Sequence, residues 1–178
     1  MVTKLNQNQL QQMSNTKIRL AGVVDDSIVD GPGIRFTIFT QGCFHNCPGC
    51  HNPQTHDPNG GYEEDIDNLI KRLDYNPLLS GVTFSGGEPF LQPHPLALIA
   101  KEAHKKGLNV ISYTGYLYEK LLEDEEKMEL LKEVDYLIDG PFILALRDLE
   151  LKYAGSRNQR IIDVQASLKE NKTILKDL

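Results

Sequence analysis

Three cysteines, Cys43, Cys47 and Cys50, are the only ones in the chain, and they fall within eight positions as C-F-H-N-C-P-G-C. A disulfide framework uses an even number of cysteines spread along the sequence, so three clustered thiols point to a metal. Two centres take three thiolates. A cubane iron–sulfur cluster has four irons and usually four cysteine ligands. With only three cysteines available, one iron stays without a protein thiolate, and an open position is what separates a reactive metal site from a closed one. The alternative is zinc, for which three Cys and one His form a tetrahedral structural site. His45, His51 and His56 all lie near enough in sequence to serve. Gly42 and Gly49 would let the backbone fold closely around inorganic sulfides, with amides directed at them. Zinc does not account for a second cluster of unusual residues, Ser85-Gly86-Gly87-Glu88-Pro89.

Hydrophobic periodicity shows which elements position these residues. Ile18–Val24 and Ile34–Phe39 are β-prone runs, separated by the turn signal Asp30-Gly31-Pro32-Gly33. Ile66, Leu69, Ile70 and Leu73 recur at the spacing of one helix face. Gly81–Phe84 reads as a strand that ends in the Gly-Gly-Glu turn. Pro95–Lys105 reads as a helix, Leu108–Tyr113 as a strand, Leu117–Lys132 as helical segments and Val134–Ile138 as another strand. Helices alternating with short strands predict a parallel α/β sheet with right-handed crossovers. The chain has 178 residues, whereas a closed eight-unit barrel takes about 250, so the expected fold is a partial, open (β/α) barrel. In such folds ligands sit beyond the carboxyl ends of the strands. The cysteine loop, Gly86-Gly87-Glu88, Thr114-Gly115 and Asp139 should therefore meet at one rim.

Residues 1–16 are rich in Gln and Asn without hydrophobic period and read as a mobile polar tail before a single domain over 17–178. The tail lacks the apolar stretch of a secretory signal, and no run approaches the roughly 18 apolar residues of a membrane span. The expectation is a cytoplasmic protein that binds neither membrane nor nucleic acid. A net charge of −6 argues in the same direction against a polyanion partner.

The C-x3-C-x2-C spacing resembles the radical S-adenosylmethionine superfamily, and Ser85–Pro89 matches its glycine-rich cofactor motif. Ser27-Ile28-Val29-Asp30-Gly31-Pro32-Gly33-Ile34-Arg35 resembles the segment before the cluster in activases of glycyl-radical enzymes. Cys47–Pro53, Tyr113–Tyr116, Asp139–Phe142 and Gly155–Arg160 are similar to the activators of anaerobic ribonucleoside-triphosphate reductase, over roughly Ile18 to Asp163. Many superfamily members carry an aromatic residue where this chain has Gly49. The reductase activators share the Pro-Gly found here, which leaves His51 as a ring that could lie against adenine.

The resemblance implies an oxidoreductase whose 4Fe–4S cluster is bound by Cys43, Cys47 and Cys50, with S-adenosylmethionine chelating the fourth iron. Reductive cleavage would give a 5′-deoxyadenosyl radical that takes hydrogen from a glycine of the reductase, with a flavodoxin- or ferredoxin-type protein donating the electron. The cofactor-binding residues implied are Gly49, Cys50, His51, Gly86, Gly87 and Glu88, and no side chain is assigned as a catalytic group. An activator of pyruvate formate-lyase is the alternative within the same chemistry, and a non-catalytic zinc module the alternative outside it. Asp139 is expected either to meet a cofactor hydroxyl or cation or to cap a helix. Arg35 is expected to pair with a carboxylate, contact the partner or form a surface salt bridge. The eight acids of Glu119–Asp135 are expected on a solvated helix face.

Overall fold

A computed structural model describes residues 16–178. Apart from Thr16, whose carbonyl accepts from the Ile66 amide, the segment read as a polar tail lies outside the described residues. Among the described residues, seven strands form one sheet: β1 (Lys17–Ser27), β2 (Ile34–Thr40), β3 (Tyr62–Asp65), β4 (Leu79–Gly86), β5 (Asn109–Tyr113), β6 (Tyr136–Asp139) and β7 (Arg160–Asp163). Their order is β3-β1-β2-β4-β5-β6-β7. The sheet is open, with β3 and β7 at its two edges. Five α-helices among the described residues accompany it: α1 (Ile66–Arg72), α2 (Pro93–Lys105), α3 (Tyr118–Leu121), α4 (Glu125–Leu131) and α5 (Val164–Glu170).

The parallel α/β expectation holds for the centre, where β2, β4, β5 and β6 run parallel. It does not hold at the edges. β1 is antiparallel to β2, β3 to β1 and β7 to β6. Two strands joined by a turn as short as Asp30–Gly33 can pair only antiparallel, since a parallel return needs a crossover of a dozen or more residues. β3 (Tyr-Glu-Glu-Asp) and β7 (Arg-Ile-Ile-Asp) are too short and too polar to show alternation.

Strand side chains alternate between faces, and the two faces of this sheet differ in chemistry. Phe36, Ile38, Val82, Phe84, Val110 and Leu137 form one buried cluster with Leu69 of α1, Leu96 and Ile99 of α2, Leu130 of α4 and Val164 of α5. Each fully buried Leu, Ile or Phe contributes about 1.5–3 kcal/mol, so this face anchors the fold. The other face carries Arg35, Thr37 and Thr83, which are also buried. Arg35 departs from every role expected of it, being 0% exposed and, among the described residues, in no ion pair with a carboxylate. Its guanidinium donates to Thr83 Oγ1 at 2.6 Å, Val82 O at 2.7 Å, and Pro32 O and Asn109 O at 3.3 Å. It pins the Asp30–Gly33 turn to the sheet. Burial pulls its pKa down to about 10.

Candidate metal and cofactor site

The carboxyl ends of the four parallel strands open into a cavity of about 670 Å³. Cys43 follows β2, Gly86 ends β4 and Gly87 follows it, Thr114 and Gly115 follow β5, and Gly140 follows β6; all of them line the cavity. The rim predicted from the strand pattern is therefore present, except that Gly140 and not Asp139 lines it. Cys47, Cys50 and His51 complete that wall. Gly49 and Glu88 lie outside the cavity lining.

Hydrogen bonds fix the cysteine loop to the sheet from both sides. The Gly42 and Cys43 amides donate to Thr55 O and His56 O, while Gly87 and Glu88 donate back to Thr40 O and Gly42 O. Gly86 has φ +91, and a Cβ there would lie 2.7 Å from the Phe39 Cα and the Thr40 nitrogen. A Cβ on Gly87 would come within 2.4 Å of Gly42 O. The glycine pair thus lets β4 pass close under the backbone that enters the loop.

Within the loop, Gly42, Asn46 and Gly49 take positive φ values of 97°, 48° and 74°. Each of these left-handed residues turns the backbone sharply beside or between the cysteines. The Asn52 amide already donates to Cys50 Sγ at 3.4 Å, and all three thiols are free. Burial pushes the Cys43 thiol up, and the Glu88 carboxylate adds to the rise against the lowering effect of the His45 amide. A metal that holds the thiolate supplies the missing positive charge.

His45 and His51 line the cavity but are engaged by other side chains. His45 Nε2 lies 2.7 Å from Glu88 Oε2, and His51 packs against Phe142 with centroids 4.9 Å apart. His56 does not line the cavity. Among the described residues, no group of three or more His, Cys, Asp or Glu side chains is placed to hold one metal ion. Zinc requires that convergence; a cubane spreads its thiolates over separate irons. Three free thiols around a glycine-lined hollow fit the cubane.

Sequence comparison agrees with this chemistry. The family model described as "4Fe-4S single cluster domain" matches residues 29–162. The anaerobic ribonucleoside-triphosphate reductase-activating protein of Salmonella typhi is 36% identical over 140 residues, 74% of this chain and 90% of that protein. Its namesake in Enterobacteria phage T4 is 33% identical over 141 residues, 75% of this chain and 86% of that one. The chain belongs to this 4Fe–4S family of reductase-activating proteins. A pyruvate formate-lyase-activating enzyme of Clostridium pasteurianum is 39% identical over 127 residues, 66% of this chain and 53% of that enzyme.

Of the other cavity residues, Tyr113 and Gly155 fall in the segments similar to reductase activators, whereas Leu149, Tyr153 and Ala154 carried no sequence signal of their own. Tyr113 lines the cavity beside Asp30, and burial, with Asp30 adding, raises its hydroxyl pKa and keeps it protonated. Leu149, Tyr153, Ala154 and Gly155 arrive on the segment after Leu146. Tyr153 has φ +58, a strained value of the kind found at functional sites. Gly155 is small because a Cβ would approach Phe142 and His51 to 3.1 and 3.2 Å. Asp139 is fully buried and caps a helix as expected, its Oδ2 accepting the Tyr118 amide at 2.8 Å, and the cation it meets is the Arg160 guanidinium.

Proposed function

We propose that this chain activates an anaerobic ribonucleoside-triphosphate reductase in the cytoplasm by placing a radical on a glycine of that partner. Cys43, Cys47 and Cys50 would each hold an iron of a 4Fe–4S cluster, leaving the remaining iron to the amino and carboxylate groups of S-adenosylmethionine. Once bound and reduced by one electron, cluster and cofactor together supply methionine and a 5′-deoxyadenosyl radical able to take hydrogen from the glycine Cα. A flavodoxin- or ferredoxin-type protein would be the donor.

The chain's own residues bind, orient and exclude water, as expected where a cofactor carries the chemistry. Gly86 and Gly87 leave backbone groups open to the methionyl end. His51 and Phe142 offer an aromatic wall for adenine, and Gly49 sets the turn between Cys47 and Cys50. The observation that carries this reading is the convergence of three free cysteines and the Gly86-Gly87 turn on one cavity, in a chain 36% identical to named reductase activators.

The test is electron paramagnetic resonance on the reductase after anaerobic incubation with this protein, S-adenosylmethionine and a reductant. The expected result is a glycyl doublet with wild type and none with Cys43→Ala, Cys47→Ala or Cys50→Ala. Any single variant with full turnover contradicts the ligand set. The Clostridium pasteurianum relative makes pyruvate formate-lyase the second partner to try; a doublet there and none on the reductase would reassign the substrate.

A further inference from the structure

We infer that Glu88 acts on the cysteine loop through His45, as a positioning residue, and does not itself hold the cofactor. The inference rests on the cluster reading above and adds to it a role for a pair of side chains. Glu88 is 1% exposed, and it stands behind the cavity wall. Its Oε1 accepts from the Phe90 amide at 3.0 Å and the Thr114 hydroxyl at 3.0 Å. Its Oε2 accepts from the Gly115 amide at 2.9 Å and faces His45 Nε2 at 2.7 Å. An ionised carboxylate offers about four lone-pair sites, and these four groups take them. No capacity is left for an ammonium group of a ligand.

His45, by contrast, does line the cavity. It sits midway between Cys43 and Cys47, where the backbone turns through the positive φ of Asn46. Its side chain is 21% exposed, and the ring is held by two further groups besides Glu88. Tyr116 meets it edge-on at 4.6 Å and 74°. Gly115 lies against it so closely that a Cβ would reach His45 Cδ2 at 2.4 Å. The ends of β4 and β5 thus grip one ring in the middle of the C-x3-C segment. Removing either partner frees the loop between two ligands while leaving the thiols in place. Outer partners of metal ligands act in this way, holding the geometry without touching the metal.

The test compares wild type, Glu88→Gln, His45→Ala, the double variant and His45→Gln, each reconstituted with iron and sulfide under argon. Two quantities are read: the rate at which a chelator strips iron in the absence of S-adenosylmethionine, and the dissociation constant for S-adenosylmethionine. Glu88→Gln and His45→Ala should each lose iron roughly 10-fold faster than wild type. The double variant should lose it no faster than the singles, because both act through one contact. His45→Gln, which keeps a side-chain N–H donor, should recover part of the wild-type rate. Weaker S-adenosylmethionine binding in Glu88→Gln at an unchanged rate of iron loss overturns the inference, as do effects that multiply in the double variant. Should Glu88→Gln fail to fold, the comparison of His45→Ala with His45→Gln decides alone, equal rates counting against the pair. A wild-type chain that takes up no iron and sulfide overturns the cluster and this inference together. A loaded wild type with equally firm variants overturns this inference only.

Discussion

Gly87→Ala would drive a Cβ to 2.4 Å from Gly42 O, and because the obstacle is backbone, no rotamer can relieve it. Overpacking of this kind costs about 1–3 kcal/mol, and here it acts at the entrance to the cysteine loop. The expected outcome is a lower urea midpoint together with less iron bound per chain after reconstitution; full iron content would show that the close pass beneath the loop is dispensable. This part of the site was legible in the sequence, since three clustered thiols and a glycine pair after a strand announce themselves by type and spacing. The role of Glu88 was not, since a carboxylate's partners are chosen by tertiary contacts: Thr114, Gly115 and His45 come from two other segments. Arg35 misled for a related reason. Charged residues are almost never fully buried, yet the sheet and the Pro32 turn together supply four oxygens for its guanidinium.

Among the elements, β6, β7 and α3 are joined by one network. Arg160 bonds Asp139 at the end of β6 and also Glu119 of α3, at 2.8 and 3.1 Å. Its hydrogen bond holds the Glu119 pKa down at about 2. A carboxylate with a depressed folded-state pKa stabilises the fold above its unfolded value, and that contribution is lost as pH falls from about 4.5 towards 2. Glu119 is half exposed, so solvent screening keeps the effect modest. Denaturation midpoints of wild type should fall more steeply over that range than those of Glu119→Gln; parallel slopes would show that the bridge contributes nothing. The four parallel strands were legible because their apolar runs are bounded by Gly, Pro and Asp. β3 and β7 were not, because a four-residue strand at the end of the sheet is too short for a pattern and is defined by the neighbour it pairs with.

At the scale of the molecule, the helices and the core occupy one face of the sheet, and the cavity opens at the carboxyl ends of its central strands. The rim beside it is apolar: Ile28, Val29 and Leu149 are 75%, 73% and 82% exposed. A partner that delivers a glycine to the cavity must cover this rim. Ile28→Asp is therefore expected to raise the KM for the reductase roughly 10-fold, in the range of an interface anchor, while cleavage of S-adenosylmethionine by dithionite-reduced protein stays unchanged. Equal KM values would move the docking surface elsewhere. No helix among the described residues is long and apolar enough to cross a membrane. Everything proposed for this chain depends on a cubane held by three thiolates, and anaerobic iron and acid-labile sulfide analysis tests that most directly. The account predicts about four of each per wild-type chain; a folded protein that carries a single zinc and no sulfide would contradict it.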